Sequence, residues 1–155
     1  MQHSFVVTPY GEALLGLKHT KIVALLFLTF EKEKILNMFR KKFPKSVEIK
    51  SVDLQNLAND IFQNRKNFFN QVELNGTEFQ KSVWLELMKL NKVVSYQQIA
   101  KNIGTNGVRA VASAIAKNPI HYIIPCHLVV RSDGSIGKFA GGSKLKQRLI
   151  SQSTS

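Results

Sequence analysis

The chain has one cysteine, four prolines, nine glycines and only ten acidic residues among 155. A single cysteine, Cys126, excludes an intramolecular disulfide framework and a multi-cysteine zinc site. His3, His19, His121 and His127 are scattered without ligand spacing, so no metal is expected. Long apolar runs are missing as well. The longest, residues 22–30, is interrupted by Thr29 and falls far short of the roughly 18–20 residues that span a bilayer, so no membrane partner is expected. The opening MQHSFVV has neither the charged region nor the cleavage site of a signal peptide. These absences point to a soluble protein of a reducing compartment, cytoplasmic, or nuclear in a eukaryote.

What is abundant is apolar and basic. With 44% hydrophobic residues and ten phenylalanines, the chain can bury a core. Its length suits one domain, or a small lobe beside a larger one. The net charge of +12 is unevenly placed: residues 1–77 carry 11 basic and 7 acidic side chains, residues 78–155 carry 11 and 3. The second half is therefore expected to face a polyanion. A duplex attracts such a surface through counterion release, without regard to sequence. An anionic membrane or an ordinary solvated face would account for the charge alone equally well.

The first half reads as a strand-rich lobe. Phe5-Val6-Val7, residues 13–17 and residues 22–28 alternate or run apolar between turns at residues 8–11 and 18–21. Residues 31–43 and 53–63 have helical spacing, the first closed by Pro44 and the second capped by Ser51 or Asp53. Residues 66–76 read as a connection, with a short strand possible at 69–74. The domains expected are an N-terminal α/β lobe, residues 1–70, and a second domain, residues 76–155.

The second half reads as mainly helical. Thr77 can cap a helix whose apolar face is Phe79, Val83, Trp84, Leu87 and Leu90. Ser95 and Gln98 have capping-box spacing at the start of the next, which ends near Gly104. After the turn at residues 104–107, a third helix carries Val108, Val111, Ala112 and Ile115 on one face and stops at Asn118-Pro119. Two short helices joined by a glycine-containing turn make a helix-turn-helix. On its second helix the small residues Ala110, Ala112, Ser113, Ala114 and Ala116 permit close approach to a groove, and Arg109 projects a cation near the start.

The chemistry is expected where the apolar residues 120–124 run into Pro125-Cys126-His127. A free cysteine is ordinarily a buried small hydrophobe. Here an adjacent histidine and the preceding basic helix pair favour a nucleophile, since a thiolate needs a proton acceptor at neutral pH. Neighbours on a strand point to opposite faces, so a turn or a water would have to bring the two together.

Residues 124–129, Ile-Pro-Cys-His-Leu-Val, resemble the active-site signature of the O6-alkylguanine-DNA alkyltransferases, also called methylated-DNA–protein-cysteine methyltransferases. The resemblance extends over about residues 76–150. Gly76-Thr77-Glu78-Phe79-Gln80, Val83-Trp84, the stretch 94–100, Val108-Arg109-Ala110-Val111, Lys117-Asn118-Pro119 and the loop 137–142 follow in the family's order.

The resemblance implies an α+β fold, a small ribonuclease H-like lobe followed by a helical domain with the helix-turn-helix. It implies a monomer, acting without cofactor on double-stranded DNA that contains alkylated guanine. Because the O6 position is hidden in a duplex, the nucleotide is rotated out of the stack. Arg109 would fill the vacated space, with Tyr96, Gln97, Ala110 and Ser113 on the DNA. Cys126 would attack the alkyl carbon, His127 would act as base through water, and Tyr96 would assist the leaving guanine. Asn118, Pro125, Val129, Phe139, Ala140 and Gly141 would form the guanine pocket. The thioether is stable, so each molecule would act once.

Three positions depart from the family's pattern. Leu128 stands for an arginine, Phe139 for a tyrosine, and Ser153 for the glutamate that orients the histidine. With Asp133 the only acid after Glu86, reduced reactivity is expected sooner than an altered fold. The competing readings are a lesion sensor that does not repair and a general helix-turn-helix regulator. A cysteine hydrolase is the least favoured. The leading reading requires that the sulfur be reachable from the basic groove.

Overall fold

A computed structural model describes residues 1–136 and 142–154. The chain divides into two compact units: residues 1–73 with 119–123, and residues 74–118 with 124–155.

In the first unit, β1 (Gln2–Thr8), β2 (Gly11–Lys18) and β3 (Lys21–Phe27) form an antiparallel meander, and β4 (Val47–Glu48) adds in parallel to β1, giving the order β3-β2-β1-β4. The two-residue connections work because the chain can turn there. Gly11 sits at φ +106, and Thr8 Oγ1 accepts from Tyr10 N and donates to Gly11 O. Helix α1 (Lys32–Lys42) lays Ile35, Leu36 and Phe39 on Leu14, Ala24 and Leu28 of the sheet side. Helix α2 (Val52–Gln63), capped by Ser51 Oγ, buries Leu54, Ala58 and Ile61.

The open edge of β3 is covered by chain rather than by a further strand. Val72 bridges Ile22, and Ile120 bridges Leu25, where Leu25 N donates to Pro119 O and His121 N donates to Leu25 O. The stretch expected as a possible strand at 69–74 is instead a 3-10 turn over Arg65–Gln71 followed by that single bridge. The segment that precedes Cys126 is thus tied into the sheet of the first unit. Tyr122, at φ +71, stacks on Phe62 with centroids 4.3 Å apart, and Arg65 Nη1 donates to Ile123 O.

The second unit contains α3 (Glu78–Met88), α4 (Tyr96–Asn102), α5 (Val108–Ala116), α6 (Ser143–Thr154) and the parallel pair β5 (Val94–Ser95) and β6 (Val129–Val130). Thr77 and Gln80 form a complete capping box on α3. At Ser95 only half of the expected box is present: Ser95 Oγ accepts from Gln98 N, while Gln98 Nε2 donates to Asn102. Trp84, fully buried, donates its indole N–H to Ala114 O and so pins α3 to α5. Gly76 is required beside it, since a Cβ there would lie 2.6 Å from the Trp84 ring and 2.7 Å from Gln80 Oε1.

No helix among the described residues is long and apolar enough to cross a membrane.

Candidate active site and nucleic-acid cleft

Pro125 opens a single 3-10 turn, Cys126–Leu128, that leads directly into β6. The cysteine is therefore on a tight turn and not on a strand. The opposed side chains of an extended dipeptide do not apply, and Cys126 and His127 are both buried. Leu128 is buried as well, at the position where the sequence departs from the family's arginine.

Two side chains hold this turn. Asn118, at the end of α5 and 3% exposed, donates from Nδ2 to Ile124 O at 2.9 Å and hydrogen-bonds the Cys126 thiol. Lys146, on α6, is fully buried and donates from Nζ to Val129 O at 2.6 Å. Nothing in the sequence singles out Lys146. A lysine on a polar helix ordinarily solvates, and only the burial of its neighbours Leu145 and Leu149 shows that this face of α6 is turned inward.

The electrostatics follow from that burial. Desolvation pushes the Cys126 thiol up to about 11, against the opposing pull of the Asn118 hydrogen bond and the Lys146 charge. Desolvation likewise brings Lys146 down to about 8, with the thiolate's charge resisting. Tyr96, at the first position of α4, is half-buried, and burial and then the charge of Cys126 hold its phenol above the ordinary tyrosine range, with Arg131 opposing. The Lys146 ammonium lies 5.8 Å from the centroid of the Tyr96 ring. Asp133, the only acid after Glu86, is exposed, and its Oδ1 accepts from both N and Oγ of Ser135.

A cleft of about 500 Å³ opens along the helix-turn-helix. Tyr96 and Gln97 of α4 and Arg109 and Ser113 of α5 line it, as do Ala112, Ala116, Arg131 and Ser132. Ala110 is exposed on α5 but is not on the wall. The cleft has two cations and no carboxylate among its lining residues. Cys126 is not on the wall either; it retains 5% exposure, and Tyr96 is the residue that both lines the cleft and feels the thiol's charge.

Of the expected guanine-pocket residues, Asn118, Pro125 and Val129 gather around the turn. Phe139, Ala140 and Gly141 lie outside the described residues. No group of three or more potential metal ligands occurs among the described residues.

Residues 78–154 match the family model described as the DNA-binding domain of 6-O-methylguanine DNA methyltransferase. An inducible methylated-DNA–protein-cysteine methyltransferase of Bacillus subtilis is 37% identical over 126 residues, covering 76% of this chain and 70% of that protein. A methylated-DNA–protein-cysteine methyltransferase of Metallosphaera sedula is 31% identical over 97% of this chain and 91% of its own length. Among solved structures, a Mycobacterium tuberculosis enzyme in complex with DNA has the same fold, with a TM-score of 0.75 over 99% of this chain and 92% of that one, at 24% identity. A family model over the helical half, together with relatives that are similar across both halves, leaves one assignment: the chain belongs to the O6-methylguanine DNA methyltransferase family.

Proposed function

We propose that Cys126 takes a methyl or other alkyl group from O6-alkylguanine in duplex DNA, irreversibly and once per molecule. The observation that supports this best is the placement of the only cysteine. It sits on a turn held by Asn118 and Lys146, and its charge is felt by Tyr96, which lines a carboxylate-free cleft on the helix-turn-helix.

In the reaction, the Cys126 sulfur forms a bond to the alkyl carbon while the bond from that carbon to guanine O6 breaks. The thiol proton passes to His127 through water, and the departing guanine gains a proton, with the Tyr96 hydroxyl as donor. A buried thiol near 11 is almost wholly protonated at neutral pH, so proton removal is a large part of the barrier. Asn118 and Lys146 lower it by stabilising the thiolate. Arg109, exposed near the start of α5, takes the place of the extruded nucleotide in the stack. Tyr96, Gln97, Ala110 and Ser113 face the duplex, while Asn118, Pro125 and Val129, with Phe139, Ala140 and Gly141 of the loop, receive the base. The partner is double-stranded DNA, in keeping with the Mycobacterium tuberculosis enzyme of the same fold, which was crystallised in complex with DNA. The protein works as a monomer without cofactor, in the cytoplasm or nucleus where DNA is found.

Incubation with a duplex carrying one O6-methylguanine, followed by mass spectrometry of the peptides, tests this. One methyl on Cys126, absent in Cys126→Ser, is the expected result. Lesion-selective binding with an unmodified thiol would instead assign the protein as a sensor of alkylated guanine.

A further inference from the structure

Helix α5 carries a single cation, Arg109, along Val108–Ala116. The other guanidinium on the cleft belongs to Arg131, which lies outside the helix-turn-helix, immediately after β6. We propose that Arg131 is a phosphate-binding residue that fastens the duplex backbone across the cleft mouth. On this reading Arg109 and Arg131 divide the work, one entering the stack and the other holding the backbone.

Three observations carry the assignment. First, the backbone of Arg131 is fixed on both sides: its N–H donates to Ser135 O, and its carbonyl accepts from Gly134 N, both at 2.9 Å. Gly134 at φ +84 and the Asp133–Ser135 hydrogen bonds lock the turn further. A long side chain on a pinned base loses less freedom when it captures a ligand. Second, Arg131 is exposed, and among the described residues no carboxylate forms an ion pair with its guanidinium. Asp133, the nearest acid in sequence, spends one carboxylate oxygen on Ser135 and feels the Arg131 charge only from beyond ion-pair distance. Third, the wall it shares with Arg109 contains no acid, and Ser132 beside it offers a hydroxyl. Arginine with serine at a groove rim suits phosphate oxygens, which position a duplex without reading its sequence.

The inference rests on the proposed DNA substrate but fails separately from it. Binding to undamaged duplex is measured from 50 to 300 mM salt for the wild type, Arg131→Gln and Arg131→Lys. Losing one phosphate contact lowers the slope of log K against log salt by about 0.9. Arg131→Gln is expected to show that loss on several unrelated sequences, and Arg131→Lys to retain most of the slope. Transfer of the benzyl group from free O6-benzylguanine to Cys126 reports that each variant is folded. In the unmutated protein, bound duplex is expected to protect Arg131 from phenylglyoxal, a readout that needs no variant. An unchanged slope in folded Arg131→Gln, or equal phenylglyoxal reaction with and without DNA, overturns the inference. Failure of the wild type to accept any alkyl group sinks the functional reading instead, whatever the slopes show.

Discussion

Lys146 donates a 2.6 Å hydrogen bond to the carbonyl of Val129, three residues beyond Cys126, and its ammonium lies 5.8 Å from the ring centroid of Tyr96. One buried cation thereby touches the turn that carries the thiol and the aromatic residue at the cleft. Its charge stabilises the thiolate only while the amine keeps its proton, and that proton is held with a pKa of about 8.

Thiol reactivity should therefore bend with pH. With Cys126 near 11, the thiolate fraction rises almost tenfold per pH unit through the neutral range. Above about pH 8 Lys146 becomes neutral and its help fades, so the climb becomes shallower. Alkylation of Cys126 by iodoacetamide, followed from pH 6.5 to 9.5, should show this bend. Lys146→Met should react more slowly below pH 8, by several-fold or more, and follow a straight line. A bend of the same size in Lys146→Met would remove Lys146 from this role.

Folding stability carries the same signature in two opposed parts. Between about pH 8 and the ordinary 10.5, the unfolded chain keeps a proton on Lys146 that the folded protein has released, so stability rises with pH. Cys126 acts from its ordinary 9.0 to about 11, where the folded protein keeps a proton that the unfolded chain has lost, so stability falls. Urea midpoints should climb from pH 8 to 9 and then level. In Cys126→Ser the climb should continue beyond pH 9, and in Lys146→Met the first climb should be absent.

The parts of the site visible in the sequence are those set by local pattern. Thr77, Ser95 and the glycine turn at residues 104–107 announce helix ends because capping chemistry acts within three or four residues. The apolar faces of α3 and α5 follow from periodicity, and Val83, Trp84, Leu87, Val111 and Ile115 are buried. Lys146 and Arg131 escaped for the opposite reason. Each is one of 22 basic residues, and what distinguishes it is a neighbour far away in sequence: the Val129 carbonyl for Lys146, the wall shared with Arg109 for Arg131. Strand β4 and the bridges on the edge of β3 were equally hidden, being pairings one or two residues long with no periodicity to read.

Asn118 joins the end of α5 to the reactive turn, so its removal should damage both structure and chemistry. In Asn118→Ala, Ile124 O loses its 2.9 Å partner inside the protein, which costs about 1–3 kcal/mol. The thiolate loses a hydrogen bond at the same time, so the Cys126 pKa should move further upward. Thermal denaturation reads the first effect, and the pH dependence of iodoacetamide labelling reads the second. A destabilised protein with an unshifted labelling profile would leave Asn118 as a helix stop alone.

Gly76 provides a test of how the cleft is kept in shape. Its hydrogen faces the six-membered edge of Trp84, and a methyl group there meets the ring at 2.6–2.7 Å and Gln80 Oε1 at 2.7 Å. Trp84 is fully buried and cannot retreat without loosening the bond from its indole N–H to Ala114 O. Gln80 cannot move without breaking the capping box at Thr77. Gly76→Ala should therefore cost about 1–3 kcal/mol, the usual penalty for forcing extra atoms against a tightly packed side chain. Because Ala114 lies on the helix that carries Arg109 and Ser113, duplex affinity should fall along with stability. Trp84→Phe, which makes room at the expense of the hydrogen bond and of the buried volume the indole fills, should restore part of the stability when combined with Gly76→Ala. Denaturant titration of the two single variants and the double variant measures that coupling. Strict additivity would show that the clash is relieved elsewhere.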